Sequence, residues 1–225
     1  MQIQSSLLNK RILLPLLASI VAITPLAIDM YLPAMLIIAN DLNTSMPNVQ
    51  ISLSLYLAGY ALGMLFFGPI ADQIGRRILA KIGLALFGLS SLALAFCNDI
   101  HLFWFLRVVQ AFTGAAATVV VPGIIRHIYQ KDTAKGMSYV SMIMMVAPLV
   151  APTVGSMIMG LSHWQTIFIV LACYSFTILA LTQRYLIDIP IFKSPLSGFA
   201  LFFDSYKTVF KNKNARADIA SSMFV

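Results

Sequence analysis

The sequence predicts an all-α membrane protein with six transmembrane helices. Hydrophobic residues make up 60% of its 225 residues and charged residues only 10%, and the mean hydropathy is +0.87. Six apolar runs are each long enough to cross a bilayer, which takes about 20 residues. Lys and Arg collect in alternate connections between these runs. Together these observations exclude an ordinary soluble globular domain.

The predicted spans follow one another with short connections. They cover residues 12–38, 49–71, 78–97, 101–125, 137–160 and 164–187. Three prolines interrupt the first span, Pro15, Pro25 and Pro33. A polar turn at 40–48, rich in helix-capping and turn residues, leads into the second span. The fifth and sixth spans are joined by a very short turn at 162–163.

The positive residues predict the orientation of the bundle. Apart from Arg107, they lie at 10–11, 76–81, 126–135 and from 184 onward, whereas the loops at 39–48, 98–101 and 161–163 contain no Lys or Arg. Because positive loops remain in the cytoplasm, both ends of the six-span unit are expected there. This topology also explains the net charge of +7, so the predicted partner is the lipid bilayer and not nucleic acid.

The composition changes after the sixth span. Residues 1–187 form the predicted six-helix bundle, and 188–214 are basic and partly amphipathic, which is typical of a cytoplasmic linker at the membrane surface. Residues 215–225 are apolar but too few to cross a bilayer. We interpret them as the start of a seventh transmembrane helix, so the chain is expected to be about half of a larger protein.

A short charged stretch connects the second and third spans. It reads Gly68-Pro-Ile-Ala-Asp-Gln-Ile-Gly-Arg-Arg77. Gly75 permits backbone angles that a side chain would obstruct. Asp72, Arg76 and Arg77 carry charges that hydrocarbon does not accept without a partner. The stretch is therefore predicted to be a cytoplasmic loop.

Two charged residues are predicted well inside the spans, away from their ends, Asp29 and Arg107. At 1.5 Å per residue, Asp29 lies about 13 Å and Arg107 about 9 Å from the outer end of its span, so they could face each other across one cavity. Burial favours the neutral acid and a nearby Arg favours the carboxylate, so such an Asp can exchange protons. A static ion pair that locks two helices is the alternative.

Four further residues are weaker candidates for a substrate cavity: Tyr31, Gln110, Gly114 and Met142. Gln110 and Gly114 share a helix face with Arg107. Met142 belongs to a group of methionines in the fifth span, and flexible thioethers suit varied ligands. Ordinary hydrogen bonding between helices and core packing are the alternatives for all four.

The fifth span also contains Pro148, Pro152 and Gly155, at spacings that bring them to one helix face. These residues predict either a simple kink or a closely packed gating surface against a neighbouring helix.

Enzyme and metal chemistry are not predicted. The three histidines lie at span ends, and the two cysteines lie in apolar context without ligand spacing. The sequence has no phosphate-binding loop and no nucleophile–base pair. No cofactor is expected.

The motifs described above resemble those of the major facilitator superfamily. The glycines, acid and arginines of 68–77 resemble its signature loop between helices two and three, with Gln73 where a basic residue is usual. Arg107-Val-Val-Gln110 followed by Gly114 resembles its helix-four motif. Ala151-Pro152-x-x-Gly155 resembles the helix-five motif of its antiporters, with Ala151 and Ser156 where glycines are common.

Asp29-Met-Tyr-Leu-Pro-Ala34, together with Gly68-Pro-Ile-Ala-Asp72, is similar to the bicyclomycin-resistance branch of drug:proton antiporters. The resemblance covers the whole chain as an N-terminal half with two inverted three-helix repeats. It implies proton-driven export of small hydrophobic or amphipathic molecules across the inner membrane. Asp29 would then be the protonation site, Arg107 would tune it, and Asp72 with Gly75–Arg77 would close the cytoplasmic side against the missing half.

The sequence has three other functional interpretations. A native six-helix protein that dimerises, or that serves as a non-transporting partner, would not need a C-terminal half. An intramembrane enzyme would need a catalytic dyad that the sequence does not show. A channel would need polar residues along its whole path, whereas here they concentrate at one level.

Overall fold

The computed structural model describes residues 2–186, with the side chains of 13–71 and 73–186. Within this part, all regular secondary structure is helical, which confirms the predicted fold class. The predicted linker at 188–214 and the predicted seventh-helix segment at 215–225 lie outside the described residues.

Eight α-helices make up the described chain. They are α1 (Gln2–Asp29), α2 (Met35–Asp41), α3 (Met46–Ile74), α4 (Arg76–Ala95), α5 (Ile100–Thr118), α6 (Val120–Tyr129), α7 (Thr133–Leu161) and α8 (Gln165–Tyr185). Short 3₁₀ turns lie at Leu32–Ala34 and Gln130–Asp132.

Five apolar helical segments of the described chain are long enough to cross a membrane. They are Leu13–Asp41, Met46–Ala71, Arg76–Ala95, Ile100–Leu161 and Gln165–Tyr185. The fourth is 62 residues long, about 90 Å at 1.5 Å per residue, which is about three times the hydrocarbon thickness.

That long segment folds back on itself. Arg107 near its beginning contacts Ala27 in the last turn of α1, and Gly155 near its end contacts Met30, the residue that follows α1. The reversal lies at Gln130, whose φ of 44° is outside the helical range. The segment therefore holds two antiparallel passages, α5–α6 and α7, and residues 2–186 make six passages, the number predicted for this part of the chain.

The first passage is broken at only one of its three prolines, Pro33. Helix α1 continues through Pro15 and Pro25 and ends at Asp29. The chain then passes through a 3₁₀ turn that contains Pro33 and re-enters a helix at Met35. Proline has no N–H and disfavours helical angles in the residue before it, which accounts for a break at this point.

Two predicted loops are shorter than expected. Helix α3 continues to Ile74 and α4 begins at Arg76, so the predicted loop at 68–77 is wrong in its extent. Gly75 alone makes the reversal, with φ 93° and ψ 125°, angles that favour glycine. The basic stretch at 126–135 is likewise helical except for the 3₁₀ turn.

The helices pack in a pattern with internal symmetry. Helix α3 packs on α5, α4 on α5 and α8, and α1 on α7, α8 and α5, while α2–α3, α3–α4, α6–α7 and α7–α8 make smaller contacts. Exchanging the first three passages with the last three converts each contacting pair into another contacting pair. Because successive passages alternate in direction, the exchanged passages are antiparallel, which supports the predicted inverted repeat.

Candidate functional site

Arg107 of α5 lies at the centre of the bundle with no solvent-exposed surface. Its guanidinium stacks on the rings of Tyr31 and Tyr56, at 4.4 and 4.3 Å from the ring centroids. Phe168 of α8 lies at 6.0 Å. Aromatic faces attract a cation, so three elements of the bundle converge on this side chain.

A chain of hydrogen bonds starts from Arg107. Its Nη1 donates to the Ala27 carbonyl at 3.0 Å and to Gln110 Oε1 at 2.8 Å. Gln110 Nε2 donates to Ser91 Oγ at 2.8 Å, and Ser91 Oγ donates to the Phe87 carbonyl at 2.7 Å. The network joins α1, α5 and α4 across the interior.

The bond to Ala27 caps a helix end. Ala27 lies in the last turn of α1, where carbonyl groups lack an amide partner from the next turn. The C-terminal end of a helix also carries partial negative charge. Arg107 thus supplies both a donor and a positive charge where α1 breaks.

Arg107 has no carboxylate partner among the described side chains. Its Nε and Nη2 are buried and form no hydrogen bond within the described part of the chain. A buried cation without a counter-ion is costly, and each unpaired buried polar group adds to this cost. Polar contacts around Arg107 are therefore incomplete in this conformation.

Asp29 ends α1, two residues after Ala27, and is half-buried. Asp29 and Arg107 thus lie at the same level of the bundle, as expected from their depths. They form no ion pair in the described structure, because Arg107 is enclosed by aromatic rings and bonded to main chain. The static lock that was the alternative for this pair is absent from this conformation.

Asp29 belongs to an uncovered face of α1. Pro15, Ser19, Leu26 and Asp29 all retain solvent exposure, whereas most of residues 13–29 are buried. Their spacings of four, seven and three residues place them on one helix face, on which Ala22 is buried. We call this stripe the open face of α1.

Three of the four predicted cavity residues are enclosed. Tyr31 and Gln110 have no exposed surface, and Gly114 is buried beside Phe87. The Tyr31 hydroxyl lies 3.2 Å from Ser52 Oγ. Tyr31 and Gln110 contact Arg107, and none of the three residues lines an open cavity. Met142 differs, because it is 62% exposed and lines a groove between α1 and α7.

The proline motif lies at the edge of the contact between α7 and α1. Gly155 is buried so closely against the Met30 carbonyl that it leaves no room for a Cβ atom, and Ala151 is also buried. Pro148 is exposed and Pro152 is half-buried. Close packing at Gly155 therefore occurs within this chain.

The arginines of the signature loop contact other helices of the bundle. Arg77 Nη2 donates to the Gln183 carbonyl in the last turn of α8 at 2.6 Å. The Arg76 guanidinium lies against Gly123 of α6. Gly68 faces open space, and the Asp72 side chain is outside the described part. The start of α4 is thus tied to two later helices.

Several groups around Arg107 were not predicted from the sequence. Tyr56 had a weak signal, since it is a large polar ring in a span otherwise suited to close packing. Ser91, Phe168 and the Ala27 carbonyl had none, because nothing in their local sequence distinguishes them from neighbouring core positions.

The family model described as Major Facilitator Superfamily matches residues 17–224. Over 149 residues the chain is 40% identical to the bicyclomycin resistance protein homolog of Haemophilus influenzae, covering 66% of this chain and 37% of that protein. It is 39% identical to the uncharacterized MFS-type transporter YdgK of Bacillus subtilis, covering 77% and 44%. It is 38% identical to the multidrug resistance protein MdtL of Salmonella dublin, covering 67% and 38%. The aligned part of the chain therefore covers less than half the length of each of these relatives.

Proposed function

We propose, since the chain belongs to the Major Facilitator Superfamily of membrane transporters, that it forms the N-terminal half of a proton-coupled exporter of small hydrophobic or amphipathic molecules. The relatives named for bicyclomycin and multidrug resistance support the substrate class. Their greater length supports a missing C-terminal half. The protein is a multi-pass membrane protein, which we place in the inner membrane with a cytoplasmic N-terminus.

The observation on which this proposal depends most is the capping of α1 by Arg107 beside Asp29. An ionised Asp29 adds negative charge to a helix end that is already partly negative. It therefore strengthens the attraction of Arg107 for that end, and protonation of Asp29 weakens it. The charge of Asp29 and the position of Arg107 are in this way energetically linked.

This linkage provides a route to coupling without contact between proton and substrate. If outward- and inward-open states differ in how Arg107 holds the end of α1, each state prefers one protonation form of Asp29. A substrate that prefers one state then shifts the affinity for the proton, and the reverse also holds. The tie of Arg76 and Arg77 to α6 and α8 fits a closing role at the cytoplasmic end.

The test is Asp29→Asn in the full-length transporter. We expect proton-coupled efflux to be lost while membrane insertion is retained, because the amide cannot ionise. Substrate transport into everted vesicles measures efflux, and a pH-sensitive dye records the accompanying proton release. Asp132→Asn makes the same chemical change at an exposed position and should leave efflux unchanged. Retained coupled efflux in Asp29→Asn would exclude the role.

The mass of the native product tests the missing half directly. Immunodetection against the N-terminal region should give a band near twice the 24.7 kDa of this chain. A band at 24.7 kDa would instead favour a six-helix protein that dimerises or does not transport.

A further inference from the structure

Asp41 ends α2, and its Oδ2 atom accepts a hydrogen bond of 2.7 Å from the indole Nε1 of Trp164 at the start of α8. We propose that Asp41 and Trp164 are positioning residues for Arg107, because they hold the aromatic rings that form one side of its site. The inference rests on the proposed export function. It extends the coupling machinery to the 40–48 turn, which contains no basic residue.

The position of Asp41 is unfavourable for a carboxylate unless the side chain has a partner. The C-terminal end of a helix carries partial negative charge, and Asp41 is the last residue of α2. The indole N–H of Trp164 supplies a donor at this point. A hydrogen bond to an ionised acceptor is stronger than one between neutral groups, so this bond ties α2 to the start of α8.

The bond also fixes the orientation of Trp164. This side chain is only 1% exposed, and an indole has a single donor. A buried donor without a partner is costly. With Asp41 as acceptor, the ring is held in the one rotation that directs its N–H to the end of α2.

Trp164 belongs to a cluster of three buried rings with Phe103 and Phe168, which we call the ring cluster. The centroid distances are 6.1 Å from Phe103 to Trp164, 6.0 Å from Trp164 to Phe168 and 5.8 Å from Phe103 to Phe168. All three pairs meet edge to face, an arrangement that aromatic rings favour. Since the interior is closely packed, a rotation of one ring displaces the other two.

The ring cluster extends to Arg107. On α5, Arg107 follows Phe103 by four residues, and on α8, Phe168 follows Trp164 by four, so each pair shares a helix face. Phe168 lies 6.0 Å from the Arg107 guanidinium and 6.4 Å from the ring of Tyr31. Tyr31 itself stacks on that guanidinium. A continuous set of contacts thus connects the exposed acid at the end of α2 with the buried cation.

These contacts hold both sides of the break in the first passage. The break is the 3₁₀ turn Leu32–Ala34 between α1 and α2. Arg107 holds the end of α1 through the Ala27 carbonyl, and Trp164 holds the end of α2. Loss of the second hold loosens the ring cluster against Arg107. The link between the position of Arg107 and the charge of Asp29 then weakens.

Selective ¹⁵N labelling of Trp and Arg in the full-length transporter, in lipid nanodiscs, tests this connection by NMR without transport. Trp164→Phe identifies the Trp164 indole signal, and Arg107→Lys identifies the Arg107 Nε–H signal. Asp41→Ala removes the acceptor, whereas Asp41→Asn keeps one. Asn40→Ala truncates the exposed neighbouring side chain of α2 and is the control. Asp41 is also exposed, so its variants should fold, and circular dichroism checks this.

We expect Asp41→Ala to shift both signals, because the indole loses its partner and the rings beside Arg107 move. Asp41→Asn should leave the Arg107 signal in place, since its amide oxygen still accepts the indole N–H. Asn40→Ala should shift neither signal. An unshifted Arg107 signal in Asp41→Ala, or an equal shift in Asn40→Ala, would overturn the proposal.

Transport separates positioning from stability. Asp41→Ala and Trp164→Phe should each lower the accumulation of substrate driven by a pH gradient at least about fivefold, the lower end of the usual coupling between sites. Downhill transport without a gradient should persist, and Asp41→Asn should restore accumulation. Equal losses of driven and downhill transport, or no restoration by Asp41→Asn, would contradict positioning. A wild type without driven accumulation would refute the proposed function, and the two NMR signals would then decide the connection alone.

Discussion

Arg107 of α5 donates a hydrogen bond of 3.0 Å to the main-chain carbonyl of Ala27 in the last turn of α1. A buried guanidinium thereby serves as the cap of a broken transmembrane helix. The same group stacks on Tyr31 and Tyr56 and has no acidic partner in the described structure. The break in α1 and the charge of Arg107 therefore depend on each other.

Arg107→Lys should destabilise the bundle although it keeps the charge. An ammonium cannot stack as a planar group between two rings, and it cannot reproduce both bonds of the guanidinium. An unpaired buried acceptor at Ala27 or Gln110 costs about 1–3 kcal/mol. The apparent melting temperature of the purified protein should fall accordingly. Arg126→Lys, at an exposed position of α6, is the control. Equal melting temperatures for both variants would contradict the capping role.

Gly155→Ala should be destabilising because its methyl group would collide with the Met30 carbonyl. Main chain cannot move aside as a side chain can, so we expect a loss of about 1–3 kcal/mol, typical of overpacking. Gly160→Ala on the same helix has no heavy atom within 4 Å of the new methyl group. It should cause no loss in a parallel thermal unfolding experiment. A loss of equal size at Gly160 would show that flexibility of α7, and not close contact, is responsible.

Gly75→Ala should weaken the junction of α3 and α4. Its φ of 93° places a residue with a Cβ in a strained region that costs about 1–3 kcal/mol. Gly68→Ala is the comparison, because Gly68 lies inside α3 and faces open space. We expect a lower melting temperature for the first variant alone. If both variants melt like the wild type, the positive φ is not required.

Gly123→Ala should displace the Arg76 side chain, which occupies the place of the missing Cβ. The cost should depend on Arg76 itself, so it should disappear when Arg76→Ala is present. A double-mutant cycle on thermal stability measures this coupling, and contacting residues typically show about 0.5–3 kcal/mol. Additive effects of the two substitutions would mean that Gly123 and Arg76 do not interact.

Much of the architecture was predictable because it depends on local chemistry. Long apolar runs indicated the number of passages, alternating positive loops predicted their direction, and the need for a residue without a side chain identified Gly75 as the turn. The motifs carried the resemblance to the major facilitator superfamily and its bicyclomycin-resistance branch. The family model and the relatives confirm this resemblance. Helix ends were less predictable, since helical hydrogen bonds continued into stretches that composition marks as loop.

The environment of each buried charge was decided by the tertiary structure. Depth along a helix follows from the rise per residue, so the common level of Asp29 and Arg107 could be computed from sequence. Which groups face each other cannot be computed from sequence, because this depends on how the helices rotate and pack against one another. That packing enclosed Arg107 among rings from three passages and left Asp29 on the open face of α1. It also left a groove between α1 and α7, which no local pattern encodes.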